Sequence, residues 1–229
     1  MALRRIFLLV LFCLGAIPEF AVPGQDLQPV NDRNRRLEIP GVSVLPPRDG
    51  KWFIFPVSRQ EGTPADSMVR FVQRIQSRPP RKPDEARSVL AGVVVYDSGK
   101  ENPGTPAEYL EEFTGGDPHS QIGQMMTSRQ RLVGFEAALD SSLGATCVKY
   151  QRVTEITGQF PMFPGLVAIS STRGLNCSHP QWPRYQIDIT FQQLYAKGEA
   201  PLSLDAASES FLKGVVFTAA RPSAINVAK

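Results

Sequence analysis

A period of two in the C-terminal half of the chain is the feature that most constrains the fold. Between residues 185 and 195 apolar side chains such as Ile187 and Ile189 alternate with polar ones. Gln186, Asp188, Thr190 and Gln192 are those polar residues. Because successive side chains of a strand point to opposite faces, this pattern predicts a strand whose polar side faces solvent. Residues 89–96 are apolar and β-branched, which predicts a central strand.

Helical signals are fewer and separate two groups of strands. Thr105, Pro106 and Glu108 form a capping box with proline at the first helical position, which predicts a helix start. Residues 204–212 have helical spacing, and residues 215–217 predict a short closing strand. This segregation of elements predicts an α+β domain with a mainly antiparallel sheet and helices packed on one face.

The N-terminus has the pattern of a secretory signal peptide. Arg4 and Arg5 precede an apolar run over residues 6–14, which is too short to span a membrane. We therefore expect a signal peptide over residues 1–21, with an uncleaved anchor or a buried helix as the alternative. The remaining chain is expected to comprise a flexible linker at 22–36, a single domain at 37–218 and a loose tail at 219–229.

Export determines how the three cysteines are interpreted. Cys13 lies inside the signal segment, and the protein would be held at the membrane only if it were lipidated there. An even count in an exported chain then favours a Cys147–Cys177 disulfide, whereas a cytosolic chain would keep two free thiols. Cys147 lies on the opposite side of its strand from Val148 and Tyr150. The disulfide is therefore expected to join the outer face of the sheet to a loop over residues 173–183.

The segment around Cys177 contains the densest group of reactive side chains. A metal site needs three or four ligands, more than this segment offers, so neither a metal nor another cofactor is predicted. His179 is expected to bond the backbone of a disulfide loop. Arg173, His179 and Trp182 are candidate binding residues, although Trp182 could instead cover one edge of the core. No catalytic residue is assigned.

Four short motifs resemble a group of uncharacterised exported bacterial proteins. They are G-L-x-C-x-H-P at 174–180, C-V-x-Y at 147–150, P-P-x-x-G-K-W-F at 46–53 and F-L-x-x-x-x-F at 211–217. The strand-rich start and the late helix and strand are also similar to PsbP/Mog1-like domains, which implies an α+β sandwich. Neither resemblance supplies a catalytic residue.

Charge and export together limit the function. The net charge of +3 without basic clustering gives no nucleic-acid footprint. We expect a periplasmic or secreted cell-envelope protein that acts as a non-enzymatic accessory or binding module for an envelope protein or a small ligand. The alternative is an envelope hydrolase that uses His179 or His119 as its base.

Overall fold

The computed structural model describes residues 27–54, 68–73, 82–102, 104–115, 129–160 and 163–220. The predicted signal peptide, with Cys13, and His119 lie outside the described residues. The strands are β1 (Gln28–Pro29), β2 (Leu37–Ile39), β3 (Val42–Val44), β4 (Trp52–Ile54), β5 (Met68–Gln73), β6 (Ser88–Asp97), β7 (Gln130–Asp140), β8 (Cys147–Thr157), β9 (Val167–Ser178), β10 (Tyr185–Ala196) and β11 (Val215–Phe217). The helices are α1 (Pro106–Thr114) and α2 (Asp205–Lys213), with a short 3₁₀ turn at Pro83–Glu85.

Eight strands form one antiparallel sheet in the order β1-β4-β5-β6-β10-β9-β8-β7. The predicted antiparallel sheet is confirmed, and β6 lies at its centre beside β10, as its apolar sequence predicts. A smaller sheet has the order β11-β3-β2. β1 pairs with β4, so backbone pairing begins within the range expected to be a flexible linker.

The alternation in β10 separates two faces of the large sheet. We call the side that carries Ile187 and Ile189 the core face, and the side that carries Gln186, Asp188, Thr190 and Gln192 the polar face. The core face packs on apolar residues from the small sheet and α2, including Val42, Val215 and Phe211. Burial of these side chains provides the main driving force for this layer of the fold.

The two helices lie on opposite faces of the large sheet. In α1, the hydroxyl of Tyr109 donates to Asn176 on the polar face. In α2, Asp205 pairs with Arg173 on the core face, where Arg173 lies in register with Phe191. Helices packed on a single face are therefore not confirmed, because each face of the sheet carries one of the described helices.

The expected loop at residues 173–183 is wrong over its first half, because β9 continues to Ser178. Leu175 and Cys177 continue the alternation of the strand and enter the core cluster with Cys147. The disulfide therefore joins two adjacent strands inside the core rather than the outer face to a loop. The sequence places Cys147 correctly relative to Tyr150, but both faces of β8 are covered at this end.

Candidate functional site

The predicted disulfide is present. Cys147 and Cys177 face each other in register on β8 and β9 and are bonded, with their Cα atoms 4.0 Å apart. Both residues are completely buried. The bridge therefore occupies the core and leaves no thiol in this segment for chemistry.

His179 is a buried side chain whose two ring nitrogens both engage the backbone. Its Nδ1 accepts the backbone N–H groups of Gln181 and Trp182, each at 3.2 Å. Because Nδ1 accepts, the proton is on Nε2, which donates to the carbonyl of Gly41 at 3.0 Å. Burial lowers the pKa of His179, which keeps the ring neutral. The residue fastens the β9–β10 connection to the β2–β3 hairpin.

The other two candidate binding residues lie in different places. Trp182 is adjacent to His179 and packs, partly buried, against the core cluster. Arg173 forms a 2.8 Å ion pair with Asp205 of α2. Since Arg173 precedes His179 by six residues along an extended segment, the two lie on the order of 20 Å apart. The structure therefore does not bring the three residues into one site, and ligand binding by any of them stays a prediction.

The polar face presents a concentration of buried polar side chains that the sequence reasoning missed. In register with β10, polar residues continue across two neighbouring strands. They are Asn176, Thr172 and Ser170 on β9, and Tyr150, Arg152 and Thr154 on β8. Asp188 is only 5% exposed and Gln192 only 7%. The expectation that the polar side of β10 faces solvent is wrong there, because this part of the sheet is covered.

Asp188 lies at the centre of this face, within a group that we call the tyrosine network. The network consists of Tyr96, Tyr109, Tyr150, Asn176, Gln186 and Asp188. The hydroxyl of Tyr150 donates to Oδ1 of Asp188 at 3.0 Å. Asn176 also donates a hydrogen bond to this carboxylate. The two bonds satisfy much of the capacity of the Asp188 carboxylate to accept hydrogen bonds.

Asn176 connects the carboxylate to the rest of the network. Its Oδ1 accepts the hydroxyl of Tyr109 at 2.6 Å, which anchors α1 to the sheet. Its Nδ2 donates to the hydroxyl of Tyr96 at 3.1 Å, and Tyr96 in turn donates to Gln186. Four strands besides α1, namely β6, β8, β9 and β10, thus contribute to one continuous chain of hydrogen bonds.

Burial sets the protonation of these groups. It raises the pKa of Asp188 to about 6, against the opposing effects of the bond from Tyr150, the charge of Arg152 and the bond from Asn176. Burial also raises the pKa of Tyr96, Tyr109 and Tyr150, so these hydroxyls stay protonated donors. The site therefore holds a mostly ionised carboxylate at neutral pH that becomes protonated in mild acid.

Gly174 makes the position of Tyr150 possible. The two residues face each other in register, and a Cβ atom at Gly174 would lie 2.3 Å from Cζ of Tyr150. Only glycine lets the ring cross β9 and reach Asp188 on β10. This glycine within a strand is the sequence signal from which a close approach at the site could have been predicted.

On the same face, two residues along β9 from Gly174, the hydroxyl of Thr172 is fully buried and has no hydrogen-bond partner in the described part of the protein. Its neighbours are polar and occupied, since Nε2 of Gln192 donates to the hydroxyl of Ser170 at 2.6 Å. An unpaired buried hydroxyl is uncommon in native proteins because its desolvation is uncompensated. This side of the polar face therefore offers a donor and acceptor that no other described residue uses.

The chemistry available on the polar face is hydrogen bonding. A carboxylate, an amide and several hydroxyls lie on three adjacent strands, and Arg152 adds a positive charge near Asp188. In the described ranges, no group of three or more His, Cys, Asp and Glu residues is arranged to hold a metal ion. Among the same residues, no helix has both the length and the apolar character needed to cross a membrane.

No family model matches the sequence, and no curated protein matches it. The chain is similar in structure to LpqN from Mycobacterium tuberculosis, described as involved in cell envelope biogenesis, with 13% identity over 88% of this chain and 99% of that one, at a TM-score of 0.40. It is also similar to the Ran-binding protein Mog1p from Saccharomyces cerevisiae, with 11% identity over 82% of this chain and 85% of the other, at a TM-score of 0.34. The Mog1-like resemblance thus holds only as a distant structural likeness, too low to assign a function.

Proposed function

We propose that this chain is an exported cell-envelope accessory protein, periplasmic or secreted, that binds a small polar ligand and has no catalytic activity of its own. The export pattern of residues 1–21 and the buried Cys147–Cys177 bridge support an oxidising compartment. A ligand, rather than an envelope protein, is the occupant that the chemistry of the polar face favours.

The observation that carries the proposal is the unpaired, buried hydroxyl of Thr172, which lies on the same face of the sheet as the buried carboxylate of Asp188, four residues along β9 from the register partner of Asp188. An unsatisfied buried polar group costs about 1–3 kcal/mol of stability, and a carboxylate held in the interior adds to that cost. Groups retained at such a cost are the ones expected to contact a bound molecule. The ligand would carry hydrogen-bonding groups that match a hydroxyl, an amide and an anion.

Of the two histidines that the hydrolase alternative could use as a base, His179 is not available. Both ring nitrogens of His179 are engaged by the backbone, so the ring has no free acceptor with which to take a proton from a nucleophile. His119 lies outside the described residues, and its role as a base stays a prediction.

Thr172→Val tests the binding site. Valine keeps the shape of threonine and removes the hydroxyl, so we expect an equal or higher melting temperature together with at least tenfold weaker ligand binding. Binding would be followed in ¹H–¹⁵N spectra of the processed protein, titrated with amino acids, monosaccharides and glycerophosphate. Gln151→Ala, at an exposed position on the other face of β8, is the matched control. Saturable shifts that leave the polar face untouched, or affinities unaltered by Thr172→Val, would contradict the proposal.

Mass spectrometry tests the compartment separately. Protein recovered from the cell envelope should have lost its first residues and should have no thiol available to alkylation before reduction. A full-length chain with two alkylated cysteines in the folded domain would place the protein in a reducing compartment and refute export.

A further inference from the structure

In the part of the chain that the structure describes, the outer edge of β7, the last strand of the large sheet, is unpaired. Within the described residues β7 pairs with β8 alone, and it continues for 11 residues. A long edge strand presents a row of backbone donors and acceptors to which another extended chain can pair.

The register identifies which residues of β7 have outward-facing backbone groups. The backbone N–H of Ser178 donates to the carbonyl of Thr146, so the next pair, Cys147–Cys177, is of the closely spaced type that exchanges no hydrogen bonds. The N–H and C=O groups of Cys147 consequently point toward β7. Asp140, its partner on β7, is therefore hydrogen-bonded to β8.

The alternation then continues along β7. Glu136 and Ala138 bond to β8, whereas Phe135, Ala137 and Leu139 direct their N–H and C=O groups away from the sheet. All three outward-facing residues are apolar, and Leu139 is 46% exposed. Their side chains lie on the polar-face side of the sheet, beside Phe113 of α1, whose ring is 6.4 Å from that of Phe135. The edge thus combines free backbone groups with an apolar strip.

Among the described residues, the unpaired charges beside the Phe135–Leu139 part of this edge are acidic. Glu136 is exposed on the other side of β7, and Glu108 and Glu111 are exposed on the adjacent α1. Of the basic residues described at this end of the sheet, Arg131 and Lys149 pair with Glu155 and Glu209. Arg152 lies on β8 opposite Phe135 and is partly buried, and Arg129 precedes β7, so neither lies beside Glu136 on its own side of the strand. A second copy of the chain would bring acidic residues against acidic residues, which disfavours self-pairing and favours a basic partner.

We propose that β7 accepts, by strand addition, an extended segment of a partner polypeptide in which apolar and basic residues alternate. Backbone bonds to Phe135, Ala137 and Leu139 would supply the affinity. Apolar side chains of the segment would lie along the apolar strip, and its basic side chains would face Glu136. This inference is independent of the ligand proposed for the polar face.

Two labelled nonapeptides test the proposal against the full processed chain, one alternating valine with lysine and one alternating valine with glutamate. We expect fluorescence anisotropy to show saturable one-to-one binding of the lysine peptide and at least tenfold weaker binding of the glutamate peptide. Ala137→Pro removes an outward-facing donor and should reduce lysine-peptide binding at least tenfold with the fold retained. Equal binding of both peptides, or an unaffected Ala137→Pro variant, would overturn the proposal.

Two further measurements keep the test decisive. Glu136→Lys adds no proline and should reverse the peptide preference, so the proposal can fail even if Ala137→Pro does not fold. Light scattering should show a monomer for the wild type. A dimer that Ala137→Pro dissociates would identify a second copy as the occupant and refute the basic partner.

Discussion

Asp188 and His179 are two buried titratable residues whose contributions to the free energy of unfolding change in opposite directions with pH. The carboxylate of Asp188 lies among hydroxyl and amide donors, and its ionised form is disfavoured by burial. The imidazole of His179 is held neutral by burial, and its Nδ1 accepts two backbone N–H groups. Acid therefore relieves a cost at one site and breaks bonds at the other.

For Asp188 we expect the free energy of unfolding to rise as the pH falls. The folded pKa of about 6 lies above the unfolded value of about 3.9, so the folded protein binds more protons between these values. The contribution is on the order of 2–3 kcal/mol, gained between about pH 6 and about pH 4. Urea unfolding at several pH values should show it in the wild type but not in Asp188→Asn. Parallel pH profiles for the two proteins would contradict the assignment.

For His179 the sign is reversed. Its folded pKa is lowered, so its stabilising bonds are intact above the unfolded pKa of about 6.5 and are lost as the pH falls below it. His179→Ala should cost about 1–3 kcal/mol near neutral pH and progressively less in acid. The same urea series measures this convergence. A difference between wild type and His179→Ala that stays constant with pH would refute the neutral, doubly accepting Nδ1.

These residues also show which features of the site could be predicted from the sequence. A backbone-bonded His179 and a bridge between two cysteines follow from a short, proline-ended segment in an exported chain. The burial of Asp188 does not follow, because alternation assigns side chains to a face without revealing what packs on that face. Asn176, Tyr109 and Tyr96 lie far apart in the sequence, and only strand order brings them together.

Among the elements, β9 carries a glycine, Gly174, because the ring of Tyr150 on the neighbouring strand β8 lies against it. Gly174→Ala would place a methyl group against the ring of Tyr150, and we expect a loss of about 1–3 kcal/mol. In a Tyr150→Ala background the same substitution should cost much less, since the clash is gone. A double-mutant cycle by chemical unfolding measures the coupling. Additive effects would show that the two residues do not interact.

Helix α1 is attached to the sheet by the ring of Phe113, which packs against Phe135 and Tyr150, and by the buried hydroxyl of Tyr109. Tyr109→Phe leaves the carbonyl oxygen of Asn176 without that donor and should cost about 1–3 kcal/mol. Hydrogen exchange should accelerate in α1 more than in α2. Tyr195→Phe, on the core-face side of β10, is the control and should leave α1 unchanged. Uniform acceleration in both helices would mean that the bond does not act locally.

The elements themselves were predictable to different degrees. The capping box at Thr105 and Glu108 forms as expected and begins α1. β7 has no clear period in its sequence, because a bulge between Leu132 and Gly134 shifts its alternation near the start of the strand. β9 extends beyond its expected end because its polar residues find partners on the polar face rather than in solvent.

At the scale of the whole molecule, the disulfide closes a segment of 30 residues between adjacent strands. Replacing both cysteines by alanine should lower the free energy of unfolding by about 2–4 kcal/mol. Urea midpoints of the oxidised wild type and the double variant provide the measurement. Wild type reduced under denaturing conditions and refolded with its thiols blocked is the second reference. Identical midpoints for oxidised wild type and double variant would show that the bridge does not stabilise the fold.

Both faces of the inner strands of the large sheet carry buried side chains, so neither face is expected to tolerate substitutions. In saturation mutagenesis, β10 should reject replacements at even and odd positions alike, whereas exposed positions of β7 should accept them. Substitutions would then accumulate mainly at the exposed edge of the sheet. Two distant relatives could differ there at almost every position while their central strands stayed similar.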